Sequence, residues 1–248
     1  MMILKTGQLI KHIGEKKVQD EYIMRTIAEG ELKTAVELQK YVYEQLPDKQ
    51  VLYMDTYEEM LSDMQNGAKV IGVFNKDKEM IAYRYIGFPG ATEKNLGNDI
   101  KLSEEELTKV AHLEATVVHP AYRGNSLQSL TLQQAIPFIK ESGYGHVLCT
   151  VSPQNVYSLF NIIKNGLRIK ALKKKYGTYK DGRDGMWRFI LHRNLEPKAL
   201  EKTNQLLRIP LGDLDHQKKL ISEGFEGLWL YKESKTLSYV RFEDAPAY

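Results

Sequence analysis

The sequence predicts an α/β protein, on three observations. A run in which Leu113, Ala115 and Val117 alternate with His112, Glu114, Thr116 and Val118 is rich in β-branched residues and stops at Pro120, and a helical pattern begins near Ser126. Two capping boxes, Thr56 with Glu59 and Ser103 with Glu106, mark helix starts. The polar stretch Asn75, Lys76, Asp77, Lys78 separates two apolar runs as a hairpin turn does.

Taken in order, residues 22–27 read as a first strand and 31–46 as a helix with Leu32, Val36, Tyr43 and Leu46 on one face, ended by Pro47. The Thr56 box starts a helix over 57–66, with Gly67 as its stop. Strands follow over 69–74 and 80–86, then a turn-rich loop over 87–101 and a short helix after Ser103, stapled by Leu102 and Leu107. The helix over 126–142 presents Leu127, Leu130, Thr131 and Phe138 and ends at Gly143. Pro137 inside it removes a hydrogen bond at a cost of about 3 kcal/mol, which predicts a kink near 133–137 or an early end.

Residues 146–151 form an apolar strand of the buried type, broken by Ser152 to Asn155, and 156–165 a helix. Runs 167–175 and 184–193 close a hairpin. Beyond Leu195, Asp213 or Asp215 caps a helix through Glu223 with Gly224 as its stop, and 228–232 and 237–242 read as strands. Trp229 is expected to pack this extension onto the core, the other reading being a lid or the surface of a homodimer. The expected division is therefore residues 1–195 as the main domain and 196–248 as a small α+β extension packed on it.

With 248 residues, 42% apolar and 27% charged, the chain is long enough for one full core plus an appended piece. A net charge of +3 is too mild to make nucleic acid or an anionic membrane the main partner. One cysteine excludes an internal disulfide framework, and no run of 18 apolar residues occurs, so a cytoplasmic location is expected.

The chemistry is concentrated in residues 112–130. The amides of 124–128 fall where a helix starting near Ser126 leaves its first donors without intrahelical partners. Helix dipole and donors together favour phosphate, and Gly124, with no Cβ, lets the backbone approach it closely.

Val118, Pro120, Tyr122, Arg123, Gly124, Ser126 and Leu127 resemble motif A of the GCN5-related N-acetyltransferase (GNAT) family, whose core is Gln or Arg, two residues, Gly, one residue, then Gly or Ala. The six positions here are Ala121, Tyr122, Arg123, Gly124, Asn125 and Ser126. The central Gly matches. Ala121 lacks the polar side chain usual there, and Ser126 is small enough to pass a pyrophosphate and could cap the helix. A second family pattern places Asn, a small residue three on, Tyr seven on and Gly-Phe at eleven and twelve. Asn155, Ser158 and Gly166 match it, whereas Ile162 stands at the Tyr position and Leu167 at the Phe position. The tyrosine that commonly protonates the leaving thiolate is thus absent there.

The resemblance covers about residues 22–195. It implies a mixed, mostly antiparallel central sheet flanked by helices, acetyl-CoA as co-substrate, and acetyl transfer to a primary amine of a small molecule or peptide. Main-chain groups of Val117 and Val118 would meet pantetheine at a strand bulge. Arg123, Gly124, Asn125, Ser126, Leu127, Gln128 and Asn155 complete the expected cofactor set. Glu114 is the expected proton acceptor, with His112 on the same strand face as the alternative. Tyr83, Arg84 and Tyr85 are candidates for the acceptor pocket.

Two other functions compete. An acyl-CoA sensor of the same fold would bind without transfer. The basic cluster Lys170, Lys173, Lys174, Lys175, Lys180 and Arg183 would suit nucleic acid, although only Tyr176 and Tyr179 offer stacking and such runs are usually solvated faces. No His, Cys, Asp or Glu spacing suggests a metal site.

Overall fold

The structure, a computed structural model, describes residues 2–177, 185–196 and 200–244. Its strands are β1 (Ile3–Ile13), β2 (Lys16–Thr26), β3 (Lys69–Asn75), β4 (Met80–Gly87), β5 (Val110–Val118), β6 (His146–Val151), β7 (Arg168–Lys175), β8 (Met186–Asn194), β9 (Leu200–Pro210), β10 (Phe225–Tyr231) and β11 (Thr236–Asp244). The helices are α1 (Leu32–Glu44), α2 (Tyr57–Gln65), α3 (Glu104–Leu107), α4 (Leu127–Glu141), α5 (Val156–Lys164) and α6 (Leu214–Ser222). They divide into two compact units, residues 1–88 with 112–142 and residues 89–111 with 143–248. In both, antiparallel strands are flanked by helices, the mixed α/β class expected.

In the first unit β1 to β5 lie side by side in chain order. Its core joins Leu32, Ala35, Leu38 and Val42 of α1 and Met60 of α2 to Val70, Phe74, Tyr83, Tyr85, Ala115 and Val117 of the sheet. Burying such a side chain fully contributes about 1.5–3 kcal/mol. On α1 the buried face is Leu32, Ala35, Leu38, Gln39 and Val42, so Leu32 lies where expected, whereas Tyr43 is at the margin and Leu46 is past the helix end. The Thr56 box forms in full, with the Thr56 hydroxyl accepting from the Glu59 amide and Glu59 accepting from the Thr56 amide.

The structure adds to the sequence reading at one point here and narrows it at another. β1 has no counterpart in the sequence reading, because only Leu9 of its eleven residues is buried and no period of two results. Gly14, at φ +59, makes the tight turn that pairs Ile13 with Lys16. Nor does α4 end early: it runs through Pro137 to Glu141. Pro137 is exposed, so the carbonyl that loses its N–H partner lies on the side where water can serve it.

In the second unit the strand order is β6, β8, β7, β10, β11, β9. β10 joins β7 at Gly227, opposite Ile169, where a Cβ would come within 2.8 Å of the Ile169 side chain. Arg168 and Lys170 of β7 both bind Glu226 beside that contact. Trp229 does not pack the extension inward, for it is 46% exposed; Phe225, Leu230, Leu237, Tyr239 and Val240 fill the interior instead. β9 was not expected, and β10 and β11 are each longer than expected. The loop over 87–101 contains a 3-10 turn, Leu96–Ile100. Asp213 is the cap of α6, accepting from the His216 amide at 3.2 Å. Among the described residues no helix is long and apolar enough to cross a membrane.

Candidate functional site

The turn that joins β5 to α4 lies in the first unit. After β5 the His119 amide donates to the Ile81 carbonyl at 2.8 Å, and Pro120–Tyr122 form one 3-10 turn. Tyr122 is 2% exposed; its hydroxyl donates to Asp20 at 2.8 Å and accepts from the Asn75 amide group at 3.0 Å. Burial alone would raise the Asp20 pKa, but the hydrogen bonds from Tyr122 and the Glu21 amide outweigh it and hold it below the usual value.

Gly124 then takes φ +87 and Ser126 φ +57, both left-handed, and α4 begins at Leu127. A Cβ on Gly124 would meet no protein atom within 4 Å, so the space beside it is open. Arg123, Gly124 and Ser126 are exposed and Leu127 is buried. Ser126 stands at the cap position without capping the helix through its side chain, so that expected role is not taken up. It takes a left-handed conformation that is uncommon for a residue other than glycine. The Asn125 side chain is committed elsewhere: its Oδ1 accepts from the Ile10 amide at 2.7 Å, and its Nδ2 donates to the Ile10 carbonyl at 2.7 Å and the Tyr122 carbonyl at 2.9 Å.

Beneath the start of α4, Arg84 of β4 is buried and donates to the Gln128 carbonyl at 2.9 Å and to Thr131 at 3.2 Å. The sequence reading placed it with Tyr83 and Tyr85 around an acceptor. Alternation along β4 separates them, since Tyr83 and Tyr85 pack with α1 and α2 while Arg84 meets α4. Its fixed charge adds to the positive end of the α4 dipole.

On β5 the pairing with β4 slips by one residue. Thr116 faces Arg84 and Leu113 faces Ile86, so Glu114 and Ala115 together oppose Tyr85 as a β-bulge. The expected bulge thus lies two to three residues before Val117 and Val118, which keep regular register opposite Tyr83 and Ala82. Glu114 is 31% exposed in its side chain and its Oε1 lies 3.0 Å from His112 Nδ1, which confirms that the two share a face. Gly87 makes room for this carboxylate, because a Cβ there would sit 3.0 Å from Glu114 Oε1.

Around Glu114 the structure gathers residues that sequence reasoning missed. The Tyr85 hydroxyl donates to the Asp63 carboxylate on α2. The Tyr83 hydroxyl donates to Gln39 of α1 at 2.8 Å, and the Gln39 amide donates to the Asp55 carbonyl at 2.9 Å. Burial, then the charges of Glu114, Glu59 and Asp63, push the Asp55 carboxyl up to about 7. The Tyr85 phenol rises well above its usual range through burial first, then its bond to Asp63 and the charges of Asp63, Glu114 and Asp55. Asp55 directly precedes a capping box, and Glu58, Glu59 and Asp63 read as a solvated helix face, so nothing local marked them.

The other expected residues lie in the second unit. Asn155 caps α5, its Oδ1 accepting from the Ser158 amide at 3.1 Å. Ile162, at the family's Tyr position, is a packing residue, 3% exposed. Within the basic cluster, Lys170 binds Glu226, Lys173 and Lys175 bind Asp99, and Lys174 lies 5.9 Å from the Trp187 ring centre. Tyr179, Lys180 and Arg183 lie outside the described residues.

No protein-family model matches the chain, and no curated protein matches it in sequence. Solved structures do match in fold. An acetyltransferase of the GNAT family from Streptococcus pneumoniae aligns at 16% identity and a TM-score of 0.52, over 70% of this chain and 99% of that one. yncA of Salmonella typhimurium, described as an acetyltransferase and solved with its cofactor acetyl-CoA, aligns at 14% and 0.53, over 72% and 96%. The ribosomal-protein-alanine N-acetyltransferase of Brucella melitensis aligns at 14% and 0.53, over 69% and 99%.

Proposed function

The chain has the GNAT fold, and from that premise we propose that it is an N-acetyltransferase moving an acetyl group from acetyl-CoA to a primary amine. The observation that carries the reading is one continuous stretch. Glu114 sits on a bulge of β5 beside His112, and the same chain goes on to the left-handed Gly124 and Ser126 that open α4.

The residues fit the co-substrate's pyrophosphate. Gly124 leaves open space where a Cβ would stand, and the amides of 124–128 with the α4 dipole supply donors and positive potential. We assign the turn to Arg123, Gly124, Asn125, Ser126, Leu127 and Gln128, with Asn125 acting through its main chain because its side chain holds Ile10. Val117 and Val118 present main-chain groups for pantetheine. Asn155 belongs to the second unit, where its Oδ1 is engaged in the α5 cap, and is not assigned to this turn.

Acetyl-CoA supplies an activated thioester. The nitrogen–carbon bond forms as the carbon–sulfur bond breaks, and the proton shed by the amine passes to a Glu114 carboxylate oxygen, held in place by His112 Nδ1. Such a general base contributes typically about 10²–10⁴-fold.

The test is acetyl-CoA binding by calorimetry, followed by release of free CoA thiol with a panel of primary amines. Gly124→Val puts a branched Cβ in the phosphate path and strains the backbone at φ +87, so it is expected to abolish binding, with circular dichroism checking that the variant is folded. Undiminished affinity in a folded Gly124→Val protein overturns the cofactor assignment. Tight binding with no thiol release from any amine would instead support the sensor reading.

A further inference from the structure

Two imidazoles that have no part in the proposed transfer lie buried side by side in the second unit. His146 opens β6 and His192 stands on β8. His146 pairs with Asn194 and Leu148 with His192, so the two rings are diagonal neighbours on one face of the sheet. They are 7% and 9% exposed. The rings stack with their centres 5.2 Å apart, and His146 Nδ1 lies 3.0 Å from His192 Nε2. On the other edge of the His146 ring, a carboxylate oxygen of Glu106 from α3 stands 3.9 Å from Nε2.

This geometry limits how many protons the pair holds. A hydrogen bond between two ring nitrogens needs one that carries a proton and one that does not. The neutral pair meets that condition. So does a pair with one added proton on His146, whose Nδ1 then donates to His192 while its Nε2 points a proton toward Glu106. A further proton on His192 sets two N–H groups and two positive charges against each other at 3.0 Å. The charged groups around the pair are Glu106 of α3, Lys109 just after it, Glu196 after β8, and Arg168 and Lys170 of β7, both of which bind Glu226 of β10. Burial, then the charges of His146 and Lys170, hold His192 down to about 3, and burial lowers His146 as well.

We propose that the His146–His192 pair is an acid-sensitive latch of the second unit, which fastens the start of β6 to β8 while it holds at most one added proton and opens when both rings are protonated. The same stretch is anchored to the end of α3, because the amides of Gly145 and His146 both donate to the Lys109 carbonyl. An unfolded chain charges both rings below about pH 6.5, whereas the folded unit refuses the second proton. Stability of the unit is therefore undiminished above that pH and falls as pH drops from there toward about 3. The latch is independent of acetyl transfer.

The test uses the full chain. Denaturant titrations read by the emission of Trp187 and Trp229, which both belong to the second unit, give the unfolding constant at pH values from 6 down to 4. In the wild type the constant is expected to rise by about tenfold per pH unit for each proton the fold excludes. His192→Gln and His146→Asn keep a polar atom near Nε2 and Nδ1 that does not titrate, and each is expected to lower that rise by about tenfold per pH unit. An unchanged rise in both variants overturns the latch. If neither variant folds, ring-proton magnetic resonance of the wild type decides. His192 is expected to keep its neutral shift at pH 4.5 while the protein is folded, and a His192 ring that titrates near its ordinary 6.5 in the folded protein overturns the latch.

Discussion

The side chain of Asn125 grips the main chain of Ile10 with two hydrogen bonds of 2.7 Å each, across 115 residues of sequence. One end of the proposed phosphate turn is thereby tied to strand β1. Asn125→Ala leaves the Ile10 amide and carbonyl without these partners, and a loss of about 1–3 kcal/mol is expected. Thermal unfolding should show the loss, and calorimetry should show weaker acetyl-CoA binding. A variant as stable as the wild type would mean that water replaces the grip fully.

Glu114→Gln should slow acetyl transfer at neutral pH by about 10²-fold or more while leaving acetyl-CoA affinity nearly unchanged. Gly87→Ala should act in the same direction without touching the carboxylate chemically, because the new Cβ crowds Glu114 Oε1. Steady-state rates with binding constants for both variants check this. If transfer is as fast in Glu114→Gln, the residue is structural and His112 becomes the candidate.

The leaving thiolate has no tyrosine at position 162 to protonate it. Tyr157 is 77% exposed and Tyr122 is buried against Asp20 and Asn75. A thiol of pKa about 8.5 leaves acceptably near neutral pH, so Tyr157→Phe should cost less than about tenfold in kcat. Tyr122→Phe should spare the chemistry equally and lower the unfolding temperature, because Asp20 loses a buried donor. A thousandfold rate loss in either folded variant would reveal an acid.

Asp55 makes stability depend on pH. Its folded-state pKa of about 7 lies above the ordinary 3.8, so between these values the folded protein binds the extra proton. Its contribution is fully present below about pH 4 and is lost as pH rises through 7. Asp55→Asn should therefore be more stable than the wild type at pH 8, and the difference should shrink toward pH 4. Denaturant titrations at the two values give the comparison, and parallel curves would show that Asp55 does not titrate there.

Much of this was legible because it is local. The Thr56 and Ser103 boxes and the run ending at Pro120 all formed where their residues predict. What stayed hidden depends on partners distant in sequence. β1 carries almost no periodic signal, since its face is mostly exposed. Trp229 was read from its apolar neighbours, yet alternation along β10 turned it outward. The bonds of Tyr83 to Gln39 of α1 and of Tyr85 to Asp63 of α2 likewise join residues that are distant in sequence.

The outward turn of Trp229 has an optical consequence. The chain holds two tryptophans, Trp187 and Trp229, and both belong to the second unit. Indole emission therefore reports on that unit alone, and the exposed Trp229 should emit toward the red and be reached by iodide. Circular dichroism in the far ultraviolet averages over the whole backbone instead. Denaturation midpoints taken by the two signals coincide only if the units melt together, so the spacing between them measures how far each unit holds its structure without the other.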